Sequence, residues 1–334
     1  MQRFLLNRLL QVIPVLFGIT VVAFLAMHVV PGDVAQLIGG EKATEADLAR
    51  IRQQFGLNDP LYVQYGRFLA DAVRGDFGQS LRTHRPAAGE VFTAFPVTFE
   101  LSLLSLVIAT LVGVWAGVVS ATHRGGWLDT LVMVTALGGI SMPVFWTGTL
   151  LMLLGGGLLG LFPIGGLLSQ GVSVQTVTGL HLLDSLLTGN GAAALDLLRH
   201  LALPAIALAT LPTAIIARIT RSGMLDVLRQ DYITTARAKG LGGAVVVYRH
   251  ALRNALIPVV TVIGLQFGTL LSGAILTETV FSLPGLGRLA VSAILYRDFP
   301  MVQAIVVLTA VVFVMINIVV DLAYGLLDPR IRYE

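Results

Sequence analysis

Two lysines, the serine of Gly139-Ile140-Ser141-Met142 and six histidines are the residues here with the plainest chemical potential. A nucleotide-binding P-loop needs Gly-Lys followed by Ser or Thr, because backbone N–H groups and the lysine cradle the phosphates while the hydroxyl holds magnesium. Lys42 precedes Ala43 and Lys239 precedes Gly240, so this polypeptide carries no such cradle. Any uphill work must therefore draw on a partner or an ion gradient. Gly139-Ile140-Ser141-Met142 offers a serine nucleophile, but Met142 stands where an intramembrane serine protease has glycine, and no histidine follows His250. A serine hydroxyl without a base is a poor nucleophile, and Ser141 reads as a packing residue ahead of Pro143. His28, His84, His123, His181, His200 and His250 include no two at i, i+4, the spacing that would resemble a helical zinc site, and read as interfacial or loop residues. The absence of cysteine excludes disulfides, iron–sulfur ligation and thiolate zinc sites.

The elements that must position these residues are membrane spans. Of 334 residues, 55% are hydrophobic and only 12% charged, whereas soluble domains carry about a quarter charged residues. Leu9 to Gly32, Leu101 to His123, Thr130 to Leu183, His200 to Ala217, Asn254 to Thr277 and Met301 to Val320 are free of Asp, Glu, Lys and Arg. A crossing needs about 20 apolar residues, so these runs predict an all-α integral membrane protein of about six transmembrane helices. The third run exceeds one helix. Its crossing is placed at Thr130 to Gly157, because Gly155, Gly156, Gly157 and Gly160, then Phe162-Pro163-Ile164-Gly165-Gly166, signal an end. The stretch from there to Leu198 reads as a membrane-surface excursion. The first segment is too long for a signal-peptide h-region and is expected to remain as an anchor.

Lys and Arg in short loops mark the cytoplasmic side. Arg3, Arg8, Arg124, Arg218, Arg221, Arg229, Arg237, Lys239, Arg249, Arg253, Arg330 and Arg332 gather at the ends and in alternate loops. Both termini are expected in the cytoplasm, with the chain multi-pass. The pI near 9.4 comes without a basic stripe of interleaved aromatics, and nucleic acid is not an expected partner. The division expected is 1–32 for the first span and 33–96 for an extracytoplasmic segment. Residues 97–330 form a five-helix core with a cytoplasmic loop at 218–254, and 331–334 form the tail. Helix-like pieces lie around Glu45 to Phe55 and Leu61 to Arg74, with turns at Pro31-Gly32-Asp33, Asn58-Asp59-Pro60 and Arg85-Pro86. Only Glu100 and Asp321 fall within spans, both read as near a helix end and able to reach the interface, which gives ion coupling little basis. Gly113-x-x-x-Gly117 and Gly264-x-x-x-Gly268 read as close helix packing.

The 218–254 loop has helix signals of its own. Asp231 can cap a helix from Tyr232 to Lys239, Arg237 and Lys239 complement its C-terminal dipole, and Gly240 can close it. A second helix is expected around Ala244 to Arg253, leading to Pro258. On composition alone, a docking helix and a basic loop held by anionic lipid both remain open.

Asp231-Tyr-Ile-Thr-Thr-Ala-Arg-Ala-Lys-Gly-Leu241, followed by Arg249-His-Ala-Leu-Arg-Asn-Ala-Leu-Ile-Pro258, resembles the signature loop of ABC importer permeases. The dipeptide and oligopeptide (peptide/nickel) branch, first-permease type, is the nearest resemblance. Arg8 to Gly18, Pro31-Gly-Asp33, Phe55-Gly-Leu57, Arg74-Gly-Asp-Phe-Gly-Gln-Ser80, Thr277 to Arg288 and Asp328 to Tyr333 resemble that branch in the same order. Thr234-Thr235-Ala236 stand where the generic motif has Glu-Ala-Ala, as in the peptide branch.

The resemblance implies a type I importer bundle for di- or oligopeptides, glutathione, nickel chelates or related solutes. It implies a heterodimer with a second homologous permease, two cytosolic ABC ATPases that bind ATP and Mg, and an extracytoplasmic solute-binding protein. No cofactor is expected on this chain. Coupling would fall to Asp231, Tyr232, Thr234, Thr235, Ala236, Arg237, Ala238, Lys239, Gly240 and Leu241. Glu278, Phe281, Pro284, Gly285 and Gly287 would shape an outer gate or simply turn the chain. An ion-coupled secondary transporter and an intramembrane enzyme are the rival expectations.

Overall fold

The computed structural model describes residues 2–29, 35–36, 43–54 and 56–327; the Pro31-Gly-Asp33, Phe55 and Asp328 to Tyr333 motif positions lie outside them. The elements are α-helices: α1 Gln2–Val29, α2 Glu45–Gln54, α3 Leu61–Val73, α4 Ala87–Thr122, α5 Trp127–Ser141, α6 Val144–Leu151 and α7 His181–Leu187. They continue with α8 Gly191–Val227, α9 Asp231–Ala238, α10 Leu252–Gly273, α11 Ile275–Val280, α12 Leu286–Leu295 and α13 Phe299–Leu327. π-helical turns, Met152–Leu158 and Val245–Ala251, extend α6 and lead into α10. Among the described residues the only extended pairing is an isolated bridge between Gln79 and Pro86.

Among the described residues four helices are long and apolar enough to cross a membrane: Ala87–Thr122, Gly191–Val227, Val245–Gly273 and Phe299–Ile318. A fifth passes only as a bent pair, Trp127–Ser141 with Val144–Leu158. The described apolar stretch of α1 runs from Leu10 to Leu25. The third crossing, expected as one helix from Thr130 to Gly157, is thus broken by a 105° bend. Its cause is local: a residue before proline is driven out of the α region, and Met142, before Pro143, sits at φ −94 and ψ 129. The excursion is also shorter than expected, because α8 starts at Gly191, where the Asn190 side chain accepts from Ala193 N and caps the helix.

The chain divides into two units, one drawn from residues 1–95 and 288–318, the other chiefly from 96–287. In the first, α3 packs on α1: Tyr65 Oη and Thr20 Oγ1 lie 2.9 Å apart, and the Tyr65 and Phe24 rings meet edge-on at 5.4 Å. Asp298 accepts from Met301 N and from the buried Ser80 hydroxyl, tying the Arg74 to Ser80 motif to the start of α13.

Among the described residues the second unit has three apolar clusters. The largest gathers Val97, Leu101, Leu201, Leu208, Leu270, Phe281 and Leu283. A smaller one gathers Val118, Met224, Ile233, Val246 and Ala255, and a third joins Ala109, Ala209, Ile216 and Val259. α4 and α8 approach to backbone distance, since a Cβ on Gly113 would stand 2.9 Å from Thr213 O and one on Gly117 2.7 Å from Ala217 O. The Gly113-x-x-x-Gly117 spacing therefore serves packing, as small residues do between membrane helices. Ser141 is exposed, its hydroxyl donating to Leu137 O, and is not the packing residue expected.

Candidate functional site

The helix α9 begins at Asp231 itself. Gln230 holds the cap position in an extended conformation with no side-chain cap bond, so Asp231 acts not as a cap but as a first-turn carboxylate facing the helix dipole. Closure at the other end follows expectation. Gly240 takes φ +76, its N–H donates to Arg237 O at 2.9 Å, and Leu241 N reaches back to Ala236 O at 3.4 Å. That is the six-residue closure of a Schellman turn, in which a left-handed residue follows the helix. A Cβ at Gly240 would meet nothing within 4 Å, so the requirement there is conformational, not one of space.

Ile233 and Ala236, three apart, fall on one face of α9 and are buried with Val118, Ala121, Met224, Val246, Ala251 and Ala255. Tyr232 Oη accepts from Asn254 Nδ2 at 2.7 Å, fastening the helix to the start of α10. Asp231, Tyr232, Thr234, Thr235, Arg237, Ala238, Lys239, Gly240 and Leu241 are all exposed. The residues expected to couple therefore form one exposed ridge, with Ala236 as part of its root. Ile233 was absent from that expectation. Its signal was present, since it is the one large aliphatic side chain in α9 and lies one turn from Ala236.

Beneath the root, Asp129 of α5 accepts from Arg221 Nε and Nη2, both at 2.8 Å. It also accepts from the Ser120 hydroxyl and, at 3.0 Å, from Gly125 N. Arg221, read from sequence as a loop charge, lies inside α8.

At the other group of expected residues, Glu278 and Phe281 are buried while Pro284 is exposed. Thr98 Oγ1 donates to Glu278 Oε1 at 2.6 Å and accepts from Leu286 N at 2.8 Å. Any side chain at Gly285 would run into the Glu278 carboxylate, and a Cβ at Gly287 would stand 2.9 Å from Ile275 N. Phe281 O accepts from Gly166 N at 2.9 Å. Glu278, Phe281, Gly285 and Gly287 are thus brought into one packed turn, and Pro284 stands at its surface.

The segment between α6 and α8 is held by three carboxylates. Glu100, expected to reach the interface, is instead buried and accepts from Leu182 N at 2.6 Å, with His181 Nδ1 3.2 Å away. Asp196 accepts from Ser169 N and Oγ, each at 2.7 Å. Burial works against ionisation of Asp184, but hydrogen bonds from the Thr178 hydroxyl and from the N–H groups of Val177, Thr178 and Gly179 outweigh it and hold its pKa down to about 2. The side chain of Asp321 lies outside the described residues.

Residues 109–333 match the family described as the binding-protein-dependent transport system inner membrane component, and residues 1–102 match the N-terminal region of the same kind of component. A dipeptide transport system permease protein of Alkalihalophilus pseudofirmus is 47% identical over 333 residues, covering 100% of both chains. The dipeptide permease of Escherichia coli K12 is 44% identical over 338 residues, again 100% of both. A glutathione transport system permease protein of Escherichia coli is 41% identical over 334 residues and 100% of both. Among solved structures, the methionine ABC transporter MetNI in an inward-facing conformation shares the fold, with TM-score 0.52 and 18% identity over 70% of this chain and 93% of that one. These matches are to ABC transporter membrane subunits and leave the ion-coupled carrier without a counterpart. With both regions matched along nearly its whole length, the chain belongs to the family of inner membrane components of binding-protein-dependent transport systems, and it is a permease of the ABC importer type.

Proposed function

We propose that this permease forms half of an inner-membrane pathway for di- or oligopeptides or related amide-linked solutes, with α9 as the docking site of separate ATPase subunits. The observation that carries the reading is the shape of α9: a polar ridge left exposed on a helix whose other face is rooted in the bundle through Ile233 and Ala236. A basic loop held only by lipid would need no such rigid mount. A second, homologous permease completes the pathway, two cytosolic ATPases supply ATP and Mg, and an extracytoplasmic binding protein delivers solute. Both termini and the 218–254 loop face the cytoplasm in this arrangement, and 33–96 faces outward. The peptide cargo follows from relatives named for dipeptide and glutathione transport, since both solutes present amide-linked amino acids.

ATP-driven closure of the ATPases pushes α9, and a mounted helix passes that push into the bundle, biasing a two-state pathway. Glu278, Phe281, Pro284, Gly285 and Gly287 shape the gate at the outer mouth. The turn they form is locked to α4 through Thr98, so the gate moves with that helix. Gly240→Asp tests the docking role. In proteoliposomes with the companion subunits it inserts normally but separates ATP hydrolysis from dipeptide uptake; uptake at the wild-type rate would remove the assignment.

A further inference from the structure

Resting on the docking role of α9, we propose that the Asp129–Arg221 ion pair is the positioning link that carries movement of α9 into α5, the first half of the broken span. Asp129 is the one buried residue recorded for α5. A membrane helix is ordinarily held to its neighbours by packing of small and apolar side chains. α5 does pack on α8 in this way, Gly139 beside Thr210, but its one buried side chain is a carboxylate gripped by both prongs of a guanidinium, at 2.8 Å each. Such a fork fixes direction as well as distance.

The path to that grip is continuous. Ile233 of α9 packs in one cluster with Met224 of α8 and with Val118 and Ala121 of α4. Arg221 lies three residues before Met224, on the neighbouring turn of α8. Gly113 and Gly117 hold α4 to α8 at backbone distance, so the two helices respond together. Ser120 of α4 donates to the same carboxylate that Arg221 holds. At its far end α5 is cut from α6 by the 105° bend at Met142 and Pro143, which leaves α5 able to tilt without dragging the second half. Its apolar side chains, Leu131, Val134 and Leu137, are exposed on the isolated chain. A displacement of α9 thus reaches Met224, then Arg221, then Asp129, and swings α5 about its hinge.

The chain has no cysteine, so one introduced cysteine carrying an environment-sensitive fluorophore reports a single place. Val134→Cys places it on α5 and Thr235→Cys on α9. The assembled importer, with cysteine-free companion subunits in nanodiscs, is read with and without ATP under conditions that block hydrolysis. The unaltered pair gives a nucleotide-dependent spectral change at both places. Asp129→Asn keeps the change at Thr235→Cys and removes most of the change at Val134→Cys. Arg221→Gln does the same, and the exchanged pair Asp129→Arg with Arg221→Asp restores part of the response. An undiminished response at Val134→Cys in Asp129→Asn overturns the link while leaving the docking role standing. No response at Thr235→Cys in the unaltered pair overturns the docking role instead, and the link with it. Should Asp129→Asn fail to assemble, Arg221→Lys, which keeps the charge but loses the fork, carries the same two outcomes.

Discussion

The α9 ridge and the Glu278 turn are opposite solutions to the use of a motif. Both are motif stretches rich in small and polar residues, Asp231 to Leu241 and Thr277 to Arg288. In α9 two side chains are buried and the remainder stand exposed, whereas at the turn Thr277, Glu278, Phe281, Leu283, Gly285, Leu286 and Gly287 are all buried. Residues held exposed on a fixed mount are available to a second protein, while residues packed against one another fix the shape of their own chain. The first motif specifies a meeting and the second a conformation. Substitutions should therefore fail differently in the two places: by lost coupling at the ridge, by lost fold at the turn.

The largest effect is expected at the turn. Gly287→Val places branched carbons against Ile275 backbone atoms that a bare Cβ already approaches at 2.9 Å, and backbone cannot step aside as a side chain can. The cost exceeds the ~1–3 kcal/mol of ordinary overpacking, and the variant is expected to be missing from membrane fractions on immunoblots. Normal levels with normal transport would erase the contrast.

Ile233→Ala is next. Emptying a fully buried aliphatic position costs about 2–5 kcal/mol, but the loss falls on the mount of α9, so the chain still inserts. Weakened co-purification of the ATPase subunits, with unchanged permease yield, is the expected readout; a parallel fall in both would make the ridge behave like the turn. Gly240→Asp is milder, with a left-handed strain of ~1–2 kcal/mol, and acts on coupling alone.

The smallest effect is an acid dependence outside both regions. Asp184 has its folded pKa depressed from 3.8 to about 2, so its stabilising contribution is present above pH 3.8 and is lost as pH falls through about 2. Asp184→Asn should remove that part of the acid sensitivity. Limited proteolysis of the 159–190 segment between pH 5 and about 2 checks it: the wild type gains cleavage on acidification, and the variant starts more cleavable and changes less.

The sequence revealed most where polar residues interrupt apolar ones. α2, α3 and α9 fall within a residue or so of expectation because turns and charges bracket them. Inside the spans that contrast disappears: a helix apolar on all sides has no face to read, so the start of α8 at Gly191 and the break at Met142 were not foreseen. Pro143 alone did not reveal the break, because Pro96, Pro204, Pro212 and Pro258 lie within unbroken helices. Glu100 and Arg221 were misplaced for a related reason. Charges near span ends were assigned to water, and their partners, distant in sequence, are known only from the fold. Ile233 was overlooked because the motif directed attention to what is exposed, when what anchors is apolar.

The interruption at Met142 also leaves backbone groups to be satisfied. A helix of 15 residues is about 22 Å long, short of the roughly 30 Å of hydrocarbon in a bilayer. The last carbonyls of α5 lack N–H donors within their own helix, and lipid tails supply none. Non-helical backbone at that level is tolerated only against protein or beside a wetted cavity. If the bent pair crosses the bilayer as one span, the backbone at Met142 and Pro143 must lie against protein, of this chain or of a neighbouring subunit, or beside water.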